Sequence, residues 1–348
     1  MNNSVSRFAV AARLALKSIA AVLLLMAASA EGGAQNLNGA GATFPNPIYS
    51  KWFYEFSQQK STVKINYQPI GSGGGIRQVS DGIVDFGATD GPMTDEQIQS
   101  AKVKTVHIPT VLGAVVPVYN LPGVNKELNF SGEVLAAIYL GQITKWNDPR
   151  IAKDNPGVNL PSDSIIPVYR ADGSGTTYIY SDFLGKVSKD WQTRVGKGTS
   201  VKWPTGLGQK GNEGVAGMVR QTPRTIGYVE LIYALQNKMQ FGTVKNAAGL
   251  FVKASTQGVT DAAASVKDIP ADYRVSITNA PGASAYPISS FTWLLIPIHS
   301  SDAAKGQILK DFLLWMLARG QAEASALSYA PLPQSIQSRI KASIAHLQ

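Results

Sequence analysis

The segment IIPVYRADGSGTTYIYSDFL, from Ile165 to Leu184, contains a strand, a glycine-rich turn and the start of a helix. Its first part, Ile165–Tyr169, is apolar and β-branched and predicts a buried strand. The turn Asp172–Thr177 consists of small and hydroxyl-bearing residues that are typical of loops and helix caps. The run Tyr178–Leu184 then predicts a helix. A strand that leads through a short loop into a helix is the repeating unit of α/β proteins.

The same alternation of strand and helix signals continues along the chain, whose 348 residues suggest about two domains. Strands are predicted at Val63–Gln68, Val84–Ala88, Val103–Ile108, Ala114–Tyr119, Ile165–Tyr169, Thr225–Tyr228 and Thr292–Ile298. Helices are predicted at Pro45–Gln59, Thr94–Ala101, Gly132–Leu140, Thr177–Leu184, Gly211–Gln221, Ala303–Arg319 and Pro333–His346. The stretch Ala247–Pro270 is rich in Ala, Gly and Ser and is predicted to be a surface segment made mostly of loops.

Two further glycine-rich loops precede predicted helices, GAGATF at Gly39–Phe44 and GSGGG at Gly71–Gly75. The first is followed by Pro45, which suits the first turn of a helix and places Thr43 near the N-cap. A helix N-terminus offers free N–H groups and a partial positive charge, and together they attract anions. A single such loop is more often a structural helix cap, but three in one chain indicate a shared anion site.

Two charged residues stand beside these loops. Arg170 lies at the carboxyl end of its predicted strand, which is where ligands bind in α/β sheets. Its guanidinium can hold two oxygens of a tetrahedral oxyanion at once. Asp90 also comes directly after a predicted strand, Val84–Ala88, although an aspartate in this position can equally be a turn or capping residue.

The N-terminal segment predicts a cleavable secretory signal peptide covering residues 1–30. It carries Arg7, Arg13 and Lys17 without any acidic residue, followed by the uncharged run Ser18–Ala30. This run is shorter than the roughly 20 apolar residues that a membrane span requires. Cleavage is predicted after Ala30, with Ala34 as the alternative. The absence of cysteine excludes a lipid anchor at the cleavage site, so we expect a periplasmic location.

Composition excludes several classes of function. The chain has no Cys and only three His, so thiolate chemistry, cysteine–zinc sites and a histidine-rich metal site are not expected. Its net charge is +9, but no two basic residues are adjacent, and nucleic-acid-binding proteins usually cluster such residues. We therefore predict no metal, no cofactor and no nucleic-acid partner. A mild positive charge is compatible with attraction of a small anion.

The motifs of common enzymes are also incomplete. The segment Gly206–Asn212 lacks the lysine that a nucleotide-binding P-loop places on the phosphates. The dinucleotide fingerprint fails because Ile76 occupies the position of its third glycine. Neither Ser72 nor Ser174 lies in the G-x-S-x-G pattern of α/β-hydrolases. The loops therefore favour binding of an anion rather than catalysis.

Taken together, these loops and several longer stretches resemble the periplasmic phosphate-binding proteins of phosphate-specific ABC importers, the PstS family. The resemblance is colinear and covers nearly the whole chain after the signal peptide. The matching stretches are Gly39–Trp52, Tyr67–Gln78, Val84–Thr94, Ile138–Gly157, Arg170–Tyr178, Val201–Val215, Ile226–Glu230 and Tyr286–Ile296.

The resemblance implies a type II periplasmic binding-protein fold, in which two α/β lobes are joined by two crossings and the ligand lies in the cleft. By similarity the crossings fall near Pro109 and Ala285. Lobe I would be discontinuous, with residues 31–109 and 286–348, and lobe II would comprise residues 110–285. The ligand positions of the family fall on Thr43, Phe44, Ser72, Asp90, Arg170, Asp172, Ser174, Gly175 and Thr176.

The implied function is that of a receptor, not an enzyme, which binds inorganic phosphate and delivers it to the permease and ATPase subunits of an ABC importer. A receptor that opens and closes is expected to be a monomer. Asp90 would accept a hydrogen bond from a protonated anion, which disfavours sulfate because sulfate carries no proton. The alternatives are a receptor for another tetrahedral oxyanion, such as arsenate or sulfate, and a secreted phosphatase.

Overall fold

The computed structural model describes residues 35–348, so the predicted signal peptide with its first cleavage position, Ala30, and also Ala34 lie outside the described residues. Within that range every helix is too short or too polar to cross a membrane. The strands are β1 Gln35–Gly41, β2 Val63–Gln68, β3 Phe86–Thr89, β4 Thr105–Asn120, β5 Asn129–Phe130, β6 Ile166–Arg170, β7 Leu207–Gln209, β8 Thr225–Glu230, β9 Gln240–Phe241, β10 Thr243–Lys245, β11 Phe251–Val252 and β12 Ser289–Pro297.

Helices connect and cover these strands. They are α1 Asn46–Gln59, α2 Ser72–Ser80, α3 Asp95–Ser100, α4 Gly132–Tyr139, α5 Pro149–Asp154, α6 Gly175–Val187, α7 Lys189–Arg194, α8 Gly211–Gln221, α9 Leu231–Gln236, α10 Thr256–Ala264, α11 Ala303–Ala318 and α12 Gln334–Ile344. Two short 3₁₀ helices, Gly320–Glu323 and Ser325–Leu327, precede α12. The predicted strand Val63–Gln68 and the predicted helix Gly211–Gln221 agree with β2 and α8 at both ends.

One sheet of nine strands, ordered β2-β1-β3-β12-β4-β8-β6-β7 with β9 beside β4, forms the frame. The parallel strands β1, β2 and β3 form its first half, and the parallel strands β6, β7 and β8 form its second half. Strands β12 and β4 lie between the halves and run antiparallel to each other. A three-stranded sheet of β11, β10 and β5 is separate.

The long strand β4 decides how the two halves face each other. Its first part, Thr105–Ala114, pairs with β12, and its second part, Val115–Asn120, pairs with β8. Strand β3 runs antiparallel to β12 and therefore parallel to β4, whereas β8 runs antiparallel to β4. The strands of the first half thus run toward the second half, and the strands of the second half run toward the first. The carboxyl ends of both sets of strands meet near the middle of β4, and this is where ligands bind in such sheets.

Aromatic side chains fill the core on both sides of this junction. In the first half the rings of Phe53, Phe86 and Phe312 pack at centroid distances of 5.1–5.7 Å. In the second half Tyr180 stacks on Tyr228 at 4.4 Å. Buried aromatic rings of this kind contribute large apolar areas and well-defined packing. Each half therefore has a rigid core that can hold the loops at its strand ends.

The structure corrects the two strands predicted at Val103–Ile108 and Ala114–Tyr119, because both belong to the continuous strand β4. Pro109 lies within this strand at a bulge, where Thr110 has no residue of β12 opposite it. Proline has no N–H for the ladder and is accommodated in sheets at irregularities of this kind. Two separate strands were predicted on either side of Pro109, whereas one strand continues through the bulge.

Two of the predicted loops are shorter than expected. Helix α2 begins at Ser72 with Gly71 as its N-cap residue, so most of GSGGG is the first helical turn. Gly71 has a φ of 90°, a conformation that glycine adopts without strain. Thr43 is not the N-cap of α1, because Pro45 occupies that position and no side chain caps the helix. The hydroxyl of Thr43 is therefore available for other contacts.

The stretch Ala247–Pro270 was predicted as loops but contains helix α10. Ser255 caps this helix by accepting a hydrogen bond from the N–H of Gly258 at 3.0 Å. Val259 and Ala262 are buried, and the helix packs against β4 and β12. Small side chains that resembled loop composition here permit a helix to pack closely on the sheet.

Candidate anion-binding site

All nine predicted site residues lie where strands end at the junction: Thr43, Phe44, Ser72 and Asp90 in the first half, and Arg170, Asp172, Ser174, Gly175 and Thr176 in the second. Gly175 at the start of α6 shows how close the two groups come. A Cβ atom on Gly175 would lie 2.5 Å from Oδ2 of Asp90 and 2.5 Å from Oγ of Ser72. The fold therefore brings residues from both halves to one place.

Backbone N–H groups line this place. Five of them find no acceptor among residues 35–348, although their residues are buried: those of Thr43, Phe44, Ser72, Gly175 and Thr176. Buried N–H groups are almost always hydrogen-bonded in folded proteins. Five N–H groups without an acceptor among the described residues, all in the loops at the junction, indicate a site that is completed by an acceptor from outside the chain. The two helix N-termini, of α2 and α6, add their partial positive charge.

Hydroxyl groups add further donors. Oγ1 of Thr43 and Oγ1 of Thr176 each accept hydrogen bonds, and neither donates to a protein acceptor within the described residues. Ser174 caps α6 by accepting from the N–H of Thr177 at 3.0 Å, which leaves its hydroxyl proton free. Oγ of Ser72 accepts from the N–H of Asp90 at 3.1 Å. The side chains therefore present protons, as an anion requires.

Arg170 supplies the positive charge and is held by Asp172. Its Nε and Nη2 donate to the two carboxylate oxygens of Asp172 at 2.7 and 2.5 Å, and its Nη1 donates to Thr176 at 3.3 Å. A guanidinium has five N–H groups, so two remain for a ligand. Burial alone would raise the pKa of Asp172, but its hydrogen bonds and charge pairing with Arg170 outweigh this and lower the pKa. The pair is therefore ionised and pre-oriented.

The carboxylate of Asp90 is unexpected at this site, because it accepts hydrogen bonds whereas most of the groups around it donate them. Its side chain is 1% exposed, and Oδ1 accepts a hydrogen bond from Oγ1 of Thr292 at 2.8 Å. Burial raises the pKa of Asp90 from 3.8 to about 7, against the hydrogen bonds from Thr292 and Ser72 and the charge of Arg170, which lower it. Among residues 35–348, the one hydrogen bond to Oδ2 is the long contact of 3.5 Å from Oγ of Ser72. An acceptor is thus held at the centre of a set of donors.

A second buried acid, Glu230, lies at the end of β8. Its Oε2 accepts from the N–H of Ile232 at 2.7 Å, and Oε1 has no hydrogen-bond partner among the described residues. Burial raises the pKa of Glu230 well above its ordinary value. Burial thus disfavours the charged form of Glu230 beside the site.

The structure also reveals supporting residues that sequence analysis missed. Three tyrosine hydroxyls donate to carbonyl oxygens of the loop after β1: Tyr67 to Ala42 at 2.7 Å, Tyr233 to Thr43 at 2.6 Å and Tyr329 to Phe44 at 2.6 Å. These bonds satisfy the carbonyls of the loop and fix its backbone at the junction. Tyr233 and Tyr329 are remote in sequence, and no local signal predicted them.

The described residues contain no group of three or more His, Asp and Glu side chains placed to hold a metal ion. His107 lies outside the junction, where its Nε2 accepts from the N–H of Met93 at 3.1 Å. Burial lowers the pKa of His107 to about 4, so it is neutral.

Two sheet halves with facing strand ends, and a set of buried donors between them, define a two-lobed solute-binding protein. A sequence model described as the PBP superfamily domain matches residues 27–319. A curated phosphate-binding protein PstS of Pasteurella multocida is 44% identical over 89% of this chain and 90% of its own length. That of Xylella fastidiosa is 44% identical over 88% of this chain and 84% of its own. The chain belongs to this PstS family.

Solved structures agree with the fold. A high-affinity periplasmic phosphate-binding protein (PfluDING), solved with bound phosphate, superposes with a TM-score of 0.72 and covers 89% of this chain and 94% of its own. At 20% identity, this likeness concerns the fold alone. The predicted two-lobed periplasmic binding-protein fold is confirmed.

Proposed function

We propose that the chain binds inorganic phosphate at the junction of its two sheet halves and delivers it to an ABC-type phosphate importer. The observation that carries this proposal is the set of five N–H groups of buried residues that find no acceptor among residues 35–348, together with the buried guanidinium of Arg170. A small anion with several oxygens satisfies them all at once. The names of the 44% identical relatives support phosphate as that anion.

Each predicted residue has a role in this proposal. The backbone N–H groups of Thr43, Phe44, Ser72, Gly175 and Thr176 bind phosphate oxygens. The hydroxyls of Thr43, Ser174 and Thr176 donate to the same oxygens. Arg170 supplies charge-assisted hydrogen bonds, which are stronger than neutral ones, and Asp172 orients it.

Asp90 discriminates between protonated and unprotonated anions. An ionised carboxylate beside an anion is unfavourable unless a proton lies between them. Monohydrogen phosphate carries such a proton at neutral pH and can donate it to Oδ2, whereas sulfate would place two acceptors against each other. A site built for a buried hydrogen bond rejects ligands that lack it by about 10⁴- to 10⁵-fold.

The proposal includes closure of two lobes over the ligand. Residues 31–109 and 286–348 would form lobe I, and residues 110–285 would form lobe II. Close contacts between the two groups of loops support a closed arrangement, because the N–H of Gly73 donates to the carbonyl of Gly173 at 2.8 Å. Neither glycine has room for a side chain there, since a Cβ on either would lie 3.0–3.1 Å from the other's Cα.

The proposed location is the periplasm, reached through the signal peptide at residues 1–30. The absence of cysteine from the whole chain supports a protein without a thioether-linked lipid. The proposed partners are the permease and ATPase subunits of the importer. We propose that the protein acts as a monomer, because opening and closing need no second copy.

Two other functions compete with this proposal. Arsenate has the same shape and also carries a proton at neutral pH, so Asp90 gives no reason to reject it. A secreted phosphatase needs a metal cluster or an activated nucleophile, and neither Ser72 nor Ser174 has a histidine partner among the described residues.

Isothermal titration tests the proposal. The mature protein is unfolded to release bound anion, refolded, and titrated with phosphate, arsenate and sulfate, and it is also incubated with a chromogenic phosphate ester. We expect tight binding of phosphate, no binding of sulfate at pH 8 and no hydrolysis. Equal affinity for sulfate and phosphate, or turnover of the ester, would contradict the proposal.

A further inference from the structure

The side chain of Asn212 connects both groups of loops. Asn212 is the second residue of α8 and is fully buried. Its Nδ2 donates to Oγ1 of Thr43 at 2.8 Å and to Oγ1 of Thr176 at 3.1 Å. Thr43 belongs to the loop after β1 in the first half, and Thr176 belongs to α6 in the second. One amide group therefore contacts two hydroxyls that come from opposite sides of the site.

The orientation of this amide is fixed by the backbone. Oδ1 of Asn212 accepts a hydrogen bond from the N–H of Glu230 at 2.9 Å. A backbone N–H can only donate, so the atom facing Glu230 must be the oxygen. The nitrogen, with its two protons, must face the two threonine hydroxyls.

The contacts of Asn212 fill the acceptor positions of both hydroxyls. A hydroxyl oxygen has two acceptor lone pairs and one proton. Oγ1 of Thr43 accepts from both Nδ2 and the backbone N–H of Asn212, the latter at 3.3 Å. Oγ1 of Thr176 accepts from Nδ2 of Asn212 and from Nη1 of Arg170, the latter at 3.3 Å. Because both lone pairs are occupied, each hydroxyl can make a further hydrogen bond only by donating its proton.

We infer that Asn212 is a positioning residue that directs the protons of the Thr43 and Thr176 hydroxyls at the bound anion. This inference rests on the proposed function. Without the amide, each hydroxyl can rotate and use its proton elsewhere, so the site loses pre-oriented donors. Pre-oriented donors bind an anion more tightly because they need no reorganisation on binding.

A double-mutant cycle tests this role. The affinity for inorganic phosphate is measured by titration for the wild type, Asn212→Leu, Thr43→Val/Thr176→Val and the triple variant. We expect Asn212→Leu to weaken phosphate binding about 10- to 100-fold, from two impaired hydrogen bonds to a charged ligand. In the double-valine background the same change should have almost no further effect, because the hydroxyls through which Asn212 acts are gone.

Asn155→Leu is the matched control. Asn155 is also a buried asparagine with side-chain bonds to backbone, here the carbonyls of Asn129 and Ile151, but it lies outside the site. We expect it to lower the melting temperature and to leave phosphate affinity unchanged. If Asn212→Leu gives no cooperative melting transition, the cycle is repeated with Asn212→Ala.

Two results would overturn the inference. One is a phosphate affinity of Asn212→Leu within twofold of the wild type, and the other is an equal loss in the wild-type and double-valine backgrounds. Either would leave the proposed function intact. A wild-type protein that does not bind phosphate would instead overturn the proposed function, and this inference with it.

Discussion

The loops of the first sheet half bring an acid to the site and no basic side chain, whereas the second half brings a buried arginine. Asp90 after β3 is 1% exposed, and Arg170 at the end of β6 is 3% exposed. Both halves offer backbone N–H groups and hydroxyls. The difference between them separates two tasks: the second half provides attraction for any oxyanion, and the first half decides which oxyanion is accepted.

The largest expected effect is on selectivity and comes from the first half. Asp90→Asn replaces an acceptor by an amide that can donate, so sulfate no longer meets an unpaired acceptor. We expect the preference for phosphate over sulfate, which a designed hydrogen bond can make about 10⁴- to 10⁵-fold, to be largely lost. Titration with both anions at pH 8 measures it.

Asp85→Asn is the control for this change, because Asp85 precedes β3 and pairs with Lys305 away from the site. It should leave the preference unchanged. If the Asp90→Asn protein still rejects sulfate, Asp90 does not recognise the proton of the ligand.

The second prediction concerns affinity and comes from the second half. Arg170→Met removes the buried charge while keeping much of the side-chain volume. We expect phosphate affinity to fall on the order of 10²- to 10³-fold, since losing one partner of a buried charged contact costs about 3–4 kcal/mol. Titration measures the loss, and far-UV circular dichroism checks that the fold is kept.

Arg150→Met provides the matched control for Arg170→Met. Arg150 makes the same kind of bidentate pair with Asp148, two positions earlier, but its side chain is 50% exposed. Exposed pairs contribute little, so both stability and phosphate affinity should stay near the wild type. Undiminished phosphate binding by Arg170→Met would place the anion elsewhere.

The third prediction concerns stability against pH in the protein freed of anion. Burial raises the pKa of Asp90 from 3.8 to about 7, so the folded state holds this proton more tightly than the unfolded state. The contribution of Asp90 to the free energy of unfolding is fully present below about pH 4 and is lost as the pH rises through 7. The loss is at most about 4 kcal/mol.

Other buried groups also make stability depend on pH, so the prediction is a difference between two proteins. The lowered pKa of His107 makes stability rise between about pH 4 and 6.5, opposite to Asp90, and the raised pKa of Glu230 acts in the same direction as Asp90. Both groups are shared with Asp90→Asn. Chemical denaturation should show the wild type losing stability relative to Asp90→Asn between pH 4 and 7. Parallel curves would contradict a raised pKa of Asp90.

The smallest expected effect tests the contact between the halves. Gly175→Ala places a methyl group against Asp90 and Ser72. Overpacking of this kind costs about 1–3 kcal/mol, so we expect phosphate affinity to fall about tenfold to a hundredfold. Gly217→Ala, on α8 with open space around it, is the control and should leave affinity unchanged. An unchanged affinity of Gly175→Ala would mean that the halves need not approach this closely to bind the ligand.

Much of the frame could be predicted from sequence, because it depends on local patterns. The strand β2 and the helix α8 agree with their predicted bounds, since alternating or helical periodicity specifies them within a few residues. The continuity of β4 through Pro109 could not be predicted, because a bulge that accommodates a proline depends on the partner strand β12. The helix at Thr256–Ala264 was missed because small residues suit both loops and close packing.

The candidate site likewise has parts that local sequence predicts and parts that depend on the tertiary fold. Arg170, Asp172 and Ser174 are neighbours in sequence, so a short motif already placed them together, and in the structure Asp172 holds Arg170 through two hydrogen bonds. Asn212 and Tyr329 act on the site from far along the chain, at separations of 169 and 285 residues from their partners. Contacts between residues so far apart in sequence depend on the tertiary fold, and no local pattern predicts them.

A crystal structure of the mature protein with phosphate tests the central claim most directly. The account predicts one phosphate between the two sheet halves. An oxygen of the phosphate would lie within about 2.5–2.7 Å of Oδ2 of Asp90, the short distance of a charge-assisted O–H···O bond. Arg170 and the N–H groups of Phe44 and Gly175 would bind the other oxygens. Phosphate bound elsewhere, or bound here without contact to Asp90, would contradict the account.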